Sequence, residues 1–202
     1  MRKVRRDEIM DPTTYERSRA EVRAAILEAK RLRRVEVGAL TFLFENTATI
    51  RYQVQEMVRA ERMTRDEDVR HELDTYNELL GGPGELGVSL LIGIPDPAER
   101  DARLREWLEL PGHLYLRVED GTLVRPRFDP RQVATDRLSS VQYLVFDVRG
   151  RVPVAAGSDL PALRTETSLG QEQRDALAAD LASDGRDLRA APDRAAAGRT
   201  VK

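Results

Sequence analysis

Apolar residues along the 202-residue chain fall into short, well-separated patterns. Tyr15, Val22, Ile26 and Ala29 recur at helical spacing behind Asp11-Pro12, an N-cap followed by proline at the first helical position. The spacing predicts a helix from Pro12 to about Arg33 with a narrow apolar stripe. Leu40 to Phe44 is a dense strand-length run. Thr49 to Gln55 then alternates with period two, Ile50, Tyr52 and Val54 on one side and Arg51, Gln53 and Gln55 on the other. With Asn46-Thr47-Ala48 as the turn, this pair is expected to form a hairpin. Met57, Ala60 and Met63 suggest a helical turn or two. A helix then opens at Thr64-Arg65-Asp66-Glu67, which has capping-box spacing, and Gly81-Gly82-Pro83-Gly84 stops it near Leu80.

Leu86 to Ile94 reads as a strand buried on both faces. Asp96-Pro97 repeats the cap-then-proline device and starts a helix reaching about Leu110. His113–Val118 and Leu123–Phe128 flank Asp120-Gly121, the strongest hairpin signal in the chain. Ser140 to Val148 is a further strand, and Ser168 is placed to cap a last helix through Leu181. Beyond Asp184 almost no large apolar side chain remains, so residues 184–202 are expected to be a disordered tail. Hairpins interspersed with helices give an α+β class: an antiparallel or mixed sheet with helices on one side, in one domain over residues 1–183.

Composition narrows the chemistry. The chain has no cysteine, which removes disulfides, thiolate metal sites and thiol nucleophiles. Two histidines are too few for a histidine-rich metal site. No apolar run approaches the roughly 20 residues that span a bilayer, and Asp7 and Glu8 stand where a secretory signal would place its apolar core. A cytoplasmic location is expected. The net charge of −2 divides unevenly: residues 1–34 carry +5 and the remainder −7. A basic first helix packed on an acidic body explains this better than an anion-binding face does. Nucleic acid, met through Arg17, Arg19, Arg23 and Lys30 to Arg34, is therefore the weakest of three functional expectations.

Three arrangements invite chemistry. Gly81 to Glu85 precedes a strand and contains proline, so it reads as a turn and not a phosphate loop. Asp68 and His71 have a carboxylate-x-x-His spacing that puts two ligands on one helical face, but the pattern occurs once, against the two that a dimetal bundle needs. No metal or cofactor is assigned. Glu45, Asn46, Gln53, Gln55, Glu56 and Arg59, with Glu72, Tyr76 and Asn77 on the next helix, form an unusually amide- and carboxylate-rich set. Such groups either close a satisfied network or line a polar groove for a ligand or partner segment.

Leu43-Phe44-Glu45-Asn46, Tyr52 to Met57, Arg59, Glu61, Glu72 to Leu79 and Tyr115-Leu116-Arg117-Val118 together resemble the bacterial domain-of-unknown-function family 3501, over about Val4 to Leu181. The resemblance implies an accessory role in redox or iron metabolism, with an iron–sulfur oxidoreductase or rubrerythrin-like protein as partner, and it transfers no catalytic residue. Where the family tends to show Asp-His-Pro, this chain has Asp159-Leu160-Pro161, so no role of that histidine operates here. The leading expectation is a non-catalytic partner-binding protein that uses the segment Glu45 to Glu61. A metal- or cofactor-dependent enzyme using a carboxylate and amide pocket around Glu56, Arg59 and Glu72 is the alternative.

Overall fold

A computed structural model describes residues 1–132 and 136–183. In chain order the elements are α1 (Pro12–Arg31), β1 (Arg34–Val37), β2 (Leu40–Glu45), α2 (Thr47–Ala60), α3 (Asp66–Asn77), β3 (Glu85–Ile92), α4 (Pro97–Glu106), α5 (Leu110–His113), β4 (Leu114–Val118), β5 (Leu123–Val124), β6 (Pro126–Arg127), β7 (Val141–Asp147), β8 (Pro153–Ser158), β9 (Thr165–Ser168) and α6 (Gln171–Ala182). The predicted disordered tail, 184–202, lies outside the described residues.

Two antiparallel sheets result, ordered β1-β2-β3-β7-β6 and β5-β4-β8-β9. The α+β class is as expected. The main core lies between the sheets, where Phe42, Phe44, Leu86, Leu90, Phe146, Leu114 and Leu116 are fully buried. Leu104 of α4, Trp107 just after it and Leu177 of α6 join it. A second core forms where Ile50, Val54 and Val58 of α2 meet Val69 and Leu73 of α3, with Val4 and Ile9 of the N-terminal segment closing over them.

Local signals account for several starts. The Asp11 carboxylate accepts from the N–H groups of Thr13 and Thr14, both at 3.0 Å, and Asp96 accepts from Glu99 N at 2.7 Å. Each satisfies donors that a helix start leaves orphaned. Gly38 takes φ +61° in the two-residue turn joining Val37 to Leu40, a left-handed conformation that suits glycine.

Residues 49–55 overturn the hairpin expectation, because they are helical. Ile50 and Val54 are spaced four apart, which satisfies a period of two and a period of 3.6 alike. The tie is broken by Val58, buried one helical turn further on. Asn46 also decides it: its side chain accepts from Thr49 N at 3.0 Å while its own N–H donates to Thr49 Oγ1 at 2.9 Å. The predicted turn is thus a helix cap. Three smaller differences follow. Arg65, not Thr64, precedes α3, without a side-chain cap. Ser168 ends β9, and Gly170 precedes α6. The strand after Asp120-Gly121 pairs with β4 only at Leu123 and Val124, then crosses to join β7 as β6.

Candidate functional site

The outer face of the larger sheet carries the site. Residues facing away from the core alternate with the core residues along each strand. Across the sheet they align as Leu43, Ser89 and Tyr143, then Glu45, Gly87 and Val145. The turn that follows α3 lies directly on this face at Gly87. A Cβ there would stand 1.9 Å from the Leu79 carbonyl oxygen, so the close approach demands glycine.

Because the turn after α3 rests on the sheet at Gly87 while α3 itself stands off it, a cleft of about 550 Å³ opens between helix and sheet. Glu72, Tyr76 and Glu78 line one wall, Tyr143 and Arg127 the other, and Met57 of α2 one end. Tyr143 is 40% exposed. Burial of part of its ring, with Tyr76 and Glu45 nearby, holds its phenol above the ordinary value.

Glu45 is buried at the end of β2. Its carboxylate accepts from Thr49 Oγ1 at 2.6 Å and Ser89 Oγ at 2.7 Å. Hydroxyl donors hold it in place of a cation. Glu72 and Glu78 likewise make no ion pair among the described residues. Arg127 is turned to Glu85 at 2.5 Å, and Arg131 to Asp129 at 2.5 Å, although Arg131 also feels the Glu78 charge. The cleft therefore presents two phenol rings and the Glu72 and Glu78 carboxylates, on a lining completed by Met57, Leu79, Phe128, Leu144 and Val145.

The remaining predicted residues do structural work. Gln55 Oε1 accepts from Met10 N and its Nε2 donates to Met10 O, both at 2.9 Å. Asn77 does the same for Val4, at 2.8 and 3.0 Å. Two amides thus replace a strand partner for the N-terminal segment. Glu56 accepts from Tyr15 Oη at 2.6 Å and from Arg19 at 2.8 and 2.9 Å. The Arg19 bonds above all lower its pKa to about 2, while desolvation and the Glu56 contact raise the Tyr15 phenol. Arg59 leans on the same carboxylate at 3.4 Å. Asn46, besides capping α2, donates to Asp180 at 3.1 Å, and Asp180 grips Arg33 at 2.6 and 2.9 Å. Gln53 is half-buried on α2 and makes no side-chain hydrogen bond among the described residues. Of the predicted set, Glu72 and Tyr76 alone line the cleft, with Glu45 just behind it.

Other candidates resolve similarly. Arg65 holds both Asp68 oxygens, at 2.6 and 2.8 Å, so the carboxylate of the Asp68/His71 pair is already engaged. Arg19, Arg31 and Arg33 of the basic first segment face Glu56, Glu28 with Glu172, and Asp180. His113 is not a bystander: its Nδ1 lies 2.9 Å from Asp159 Oδ1, and Arg125 binds the other oxygen. Beside them the Tyr115 ring lies over Gly157 and its hydroxyl donates to Glu166 at 3.1 Å. Sequence reasoning missed Tyr143, Glu78 and Gln132. Tyr143 had a signal, an aromatic sharing one side of an alternating strand with the charged Asp147.

The family model described as "Protein of unknown function (DUF3501)" matches residues 3–181, nearly the whole described chain. The chain belongs to this family. Among solved structures it is similar to a novel protein of unknown function from Burkholderia pseudomallei K96243. That chain is 26% identical, with a TM-score of 0.81, over 89% of this chain and 100% of the other. No curated protein matches it. Among the described residues no helix is long and apolar enough to cross a membrane.

Proposed function

We propose that this protein is a non-catalytic partner-binding protein whose recognition surface is the cleft between α3 and β7. The observation that carries the reading is Tyr143, a large aromatic left 40% exposed on the wall of a 550 Å³ cleft. Rigid aromatic rings at a concave surface are the residues that most often anchor protein interfaces. The cleft's supports are pre-formed: Gly87 fixes the turn after α3 against the sheet, and the capped start of α2 carries Thr49 to Glu45. The recognition surface moves accordingly, from the whole segment Glu45 to Glu61 to its Glu45 end together with Glu72, Tyr76 and Tyr143.

The partner class implied by the family resemblance, an iron–sulfur oxidoreductase or rubrerythrin-like protein, supplies the first candidates. Co-expression of the full chain with each, followed by size-exclusion chromatography, tests the proposal. A complex that survives with the native chain and weakens with Tyr143→Ala is expected. A complex undiminished by Tyr143→Ala and Tyr76→Ala together would overturn the choice of surface. Failure of every candidate to associate would overturn the partner reading.

A further inference from the structure

The backbone edge beside Tyr143 is plugged in an unusual way. Within the larger sheet, β6 pairs with β7 only at Val145 and Phe146. At Tyr143, among the described residues, the pairing groups are taken by a side chain. Gln132 Oε1 accepts from Tyr143 N at 2.7 Å, and Gln132 Nε2 donates to Tyr143 O at 3.1 Å. This double exchange reproduces a hydrogen-bonded antiparallel pair, with one glutamine amide standing in for a neighbouring strand. An edge masked by a replaceable side chain blocks casual pairing while keeping the site open to a competing backbone.

We propose that an extended segment of a partner protein displaces the Gln132 amide and adds to the sheet beside β7, with an arginine or lysine opposite Tyr143. The inference rests on the partner-binding reading and specifies its chemistry. Residues directly opposite one another in an antiparallel pair project from the same face. The partner residue facing Tyr143 therefore emerges on the cleft side, next to the Tyr143 ring. There it meets Tyr76, Glu72 and Glu78, with Glu45 behind. Arg127 and Arg131 are committed to ion pairs with Glu85 and Asp129, although the Arg131 charge still reaches Glu78. A cation beside the phenol faces and the Glu72 and Glu78 carboxylates fits this lining; an anion does not. The exchange is nearly balanced in hydrogen bonds, because two bonds to Gln132 are replaced by two to a backbone. The cationic side chain supplies the selectivity.

The test titrates the full chain with a blocked five-residue peptide of alternating threonine and valine bearing arginine at its second position, so that in an antiparallel pairing arginine faces Tyr143 while the peptide stops short of Val145 and Phe146, which β6 already holds. The same peptide with neutral citrulline there is the control. The arginine peptide is expected to bind about tenfold more tightly than the citrulline peptide. Gln132→Ala, which removes the plug, should tighten both peptides. The double variant Glu72→Gln/Glu78→Gln should erase the preference between them. Equal binding of the two peptides by the native chain would overturn the charge selection and leave the partner-binding reading intact. Arginine-peptide binding unchanged in the Glu72→Gln/Glu78→Gln variant, or loosened by Gln132→Ala, would overturn the assigned position. No binding of either peptide to the native chain or to Gln132→Ala would overturn strand addition at this edge, and co-expression with Tyr143→Ala would then judge the cleft separately.

Discussion

Replacing Asn77 by leucine tests the idea that the family-like amides are scaffold. The change keeps the volume and removes both bonds to Val4, which are 2.8 and 3.0 Å long in a region where Val4 is 4% and Asn77 5% exposed. A buried backbone group left without a partner costs about 1–3 kcal/mol. The Val4 N–H and C=O together would therefore cost about 2–6 kcal/mol if the segment stayed docked. It need not stay. Peeling residues 1–10 away rehydrates both groups and restores chain entropy, against the loss of burial for Val4 and Ile9, each worth about 1.5–3 kcal/mol. Undocking therefore sets the ceiling, and the expected loss is about 2–3 kcal/mol. Urea unfolding gives the total, and amide hydrogen exchange gives the location. The Val4 and Met10 amides should lose protection while Leu90, in the central strand β3, keeps most of its own. Asn77→Asp adds a second arm, because it keeps an acceptor for Val4 N–H but opposes a carboxylate to the Val4 carbonyl. It should destabilise at least as much. A leucine variant within about 0.5 kcal/mol of the native chain, with Val4 still protected, would refute the clamp.

Three further outcomes follow from the packing. Gly87→Ala should cost about 3 kcal/mol or more, seen as a lowered melting temperature, because the new methyl meets the Leu79 carbonyl at 1.9 Å; an unchanged melting temperature would show that the turn after α3 does not rest on the sheet there. Asp180→Ala strands Arg33, whose side chain is 11% exposed, and should cost about 3–5 kcal/mol in urea unfolding; a loss below about 1 kcal/mol would mean that the pair is solvated. Glu56 and Glu8 both have pKa values lowered to about 2, each chiefly by an arginine hydrogen bond. A depressed carboxylate contributes stability that is full above its unfolded value of about 4.3 and disappears as pH falls through its folded value. Unfolding free energy should thus drop between about pH 4.5 and 2, by about 1–2 kcal/mol for each group after allowance for solvent screening. Glu56→Gln should flatten its share of that drop; an unaltered profile would remove Glu56 from the account.

Much of the frame was legible where the signal is local. Asp11-Pro12 and Asp96-Pro97 announce their helices because a capping carboxylate and a fixed proline φ act within one turn. Glu85–Ile92 and Val141–Asp147 announce strands through dense or alternating apolar runs. The smaller sheet's β8 and β9 escaped because their residues, Ala155, Ala156, Gly157 and the threonines of β9, are too small or polar to register as a hydrophobic run. They pack because Leu116 and the Tyr115 ring cover them. Residues 50–54 were ambiguous in principle, since a spacing of four satisfies both periods. The choice fell to the Asn46 cap and to burial of Val58.

The sequence by itself determined the class of fold, the cysteine-free chemistry and the presence of an unusual store of amides and carboxylates around residues 45–77. What those groups do was decided only by tertiary structure. Gln55 and Asn77 bind backbone 45 and 73 residues away, Glu56 is saturated by α1, and Glu72 and Tyr76 are left facing Tyr143 across a cleft. A polar side chain's role depends on which distant group completes its hydrogen bonds, and that partner is set by how the helices and sheets pack.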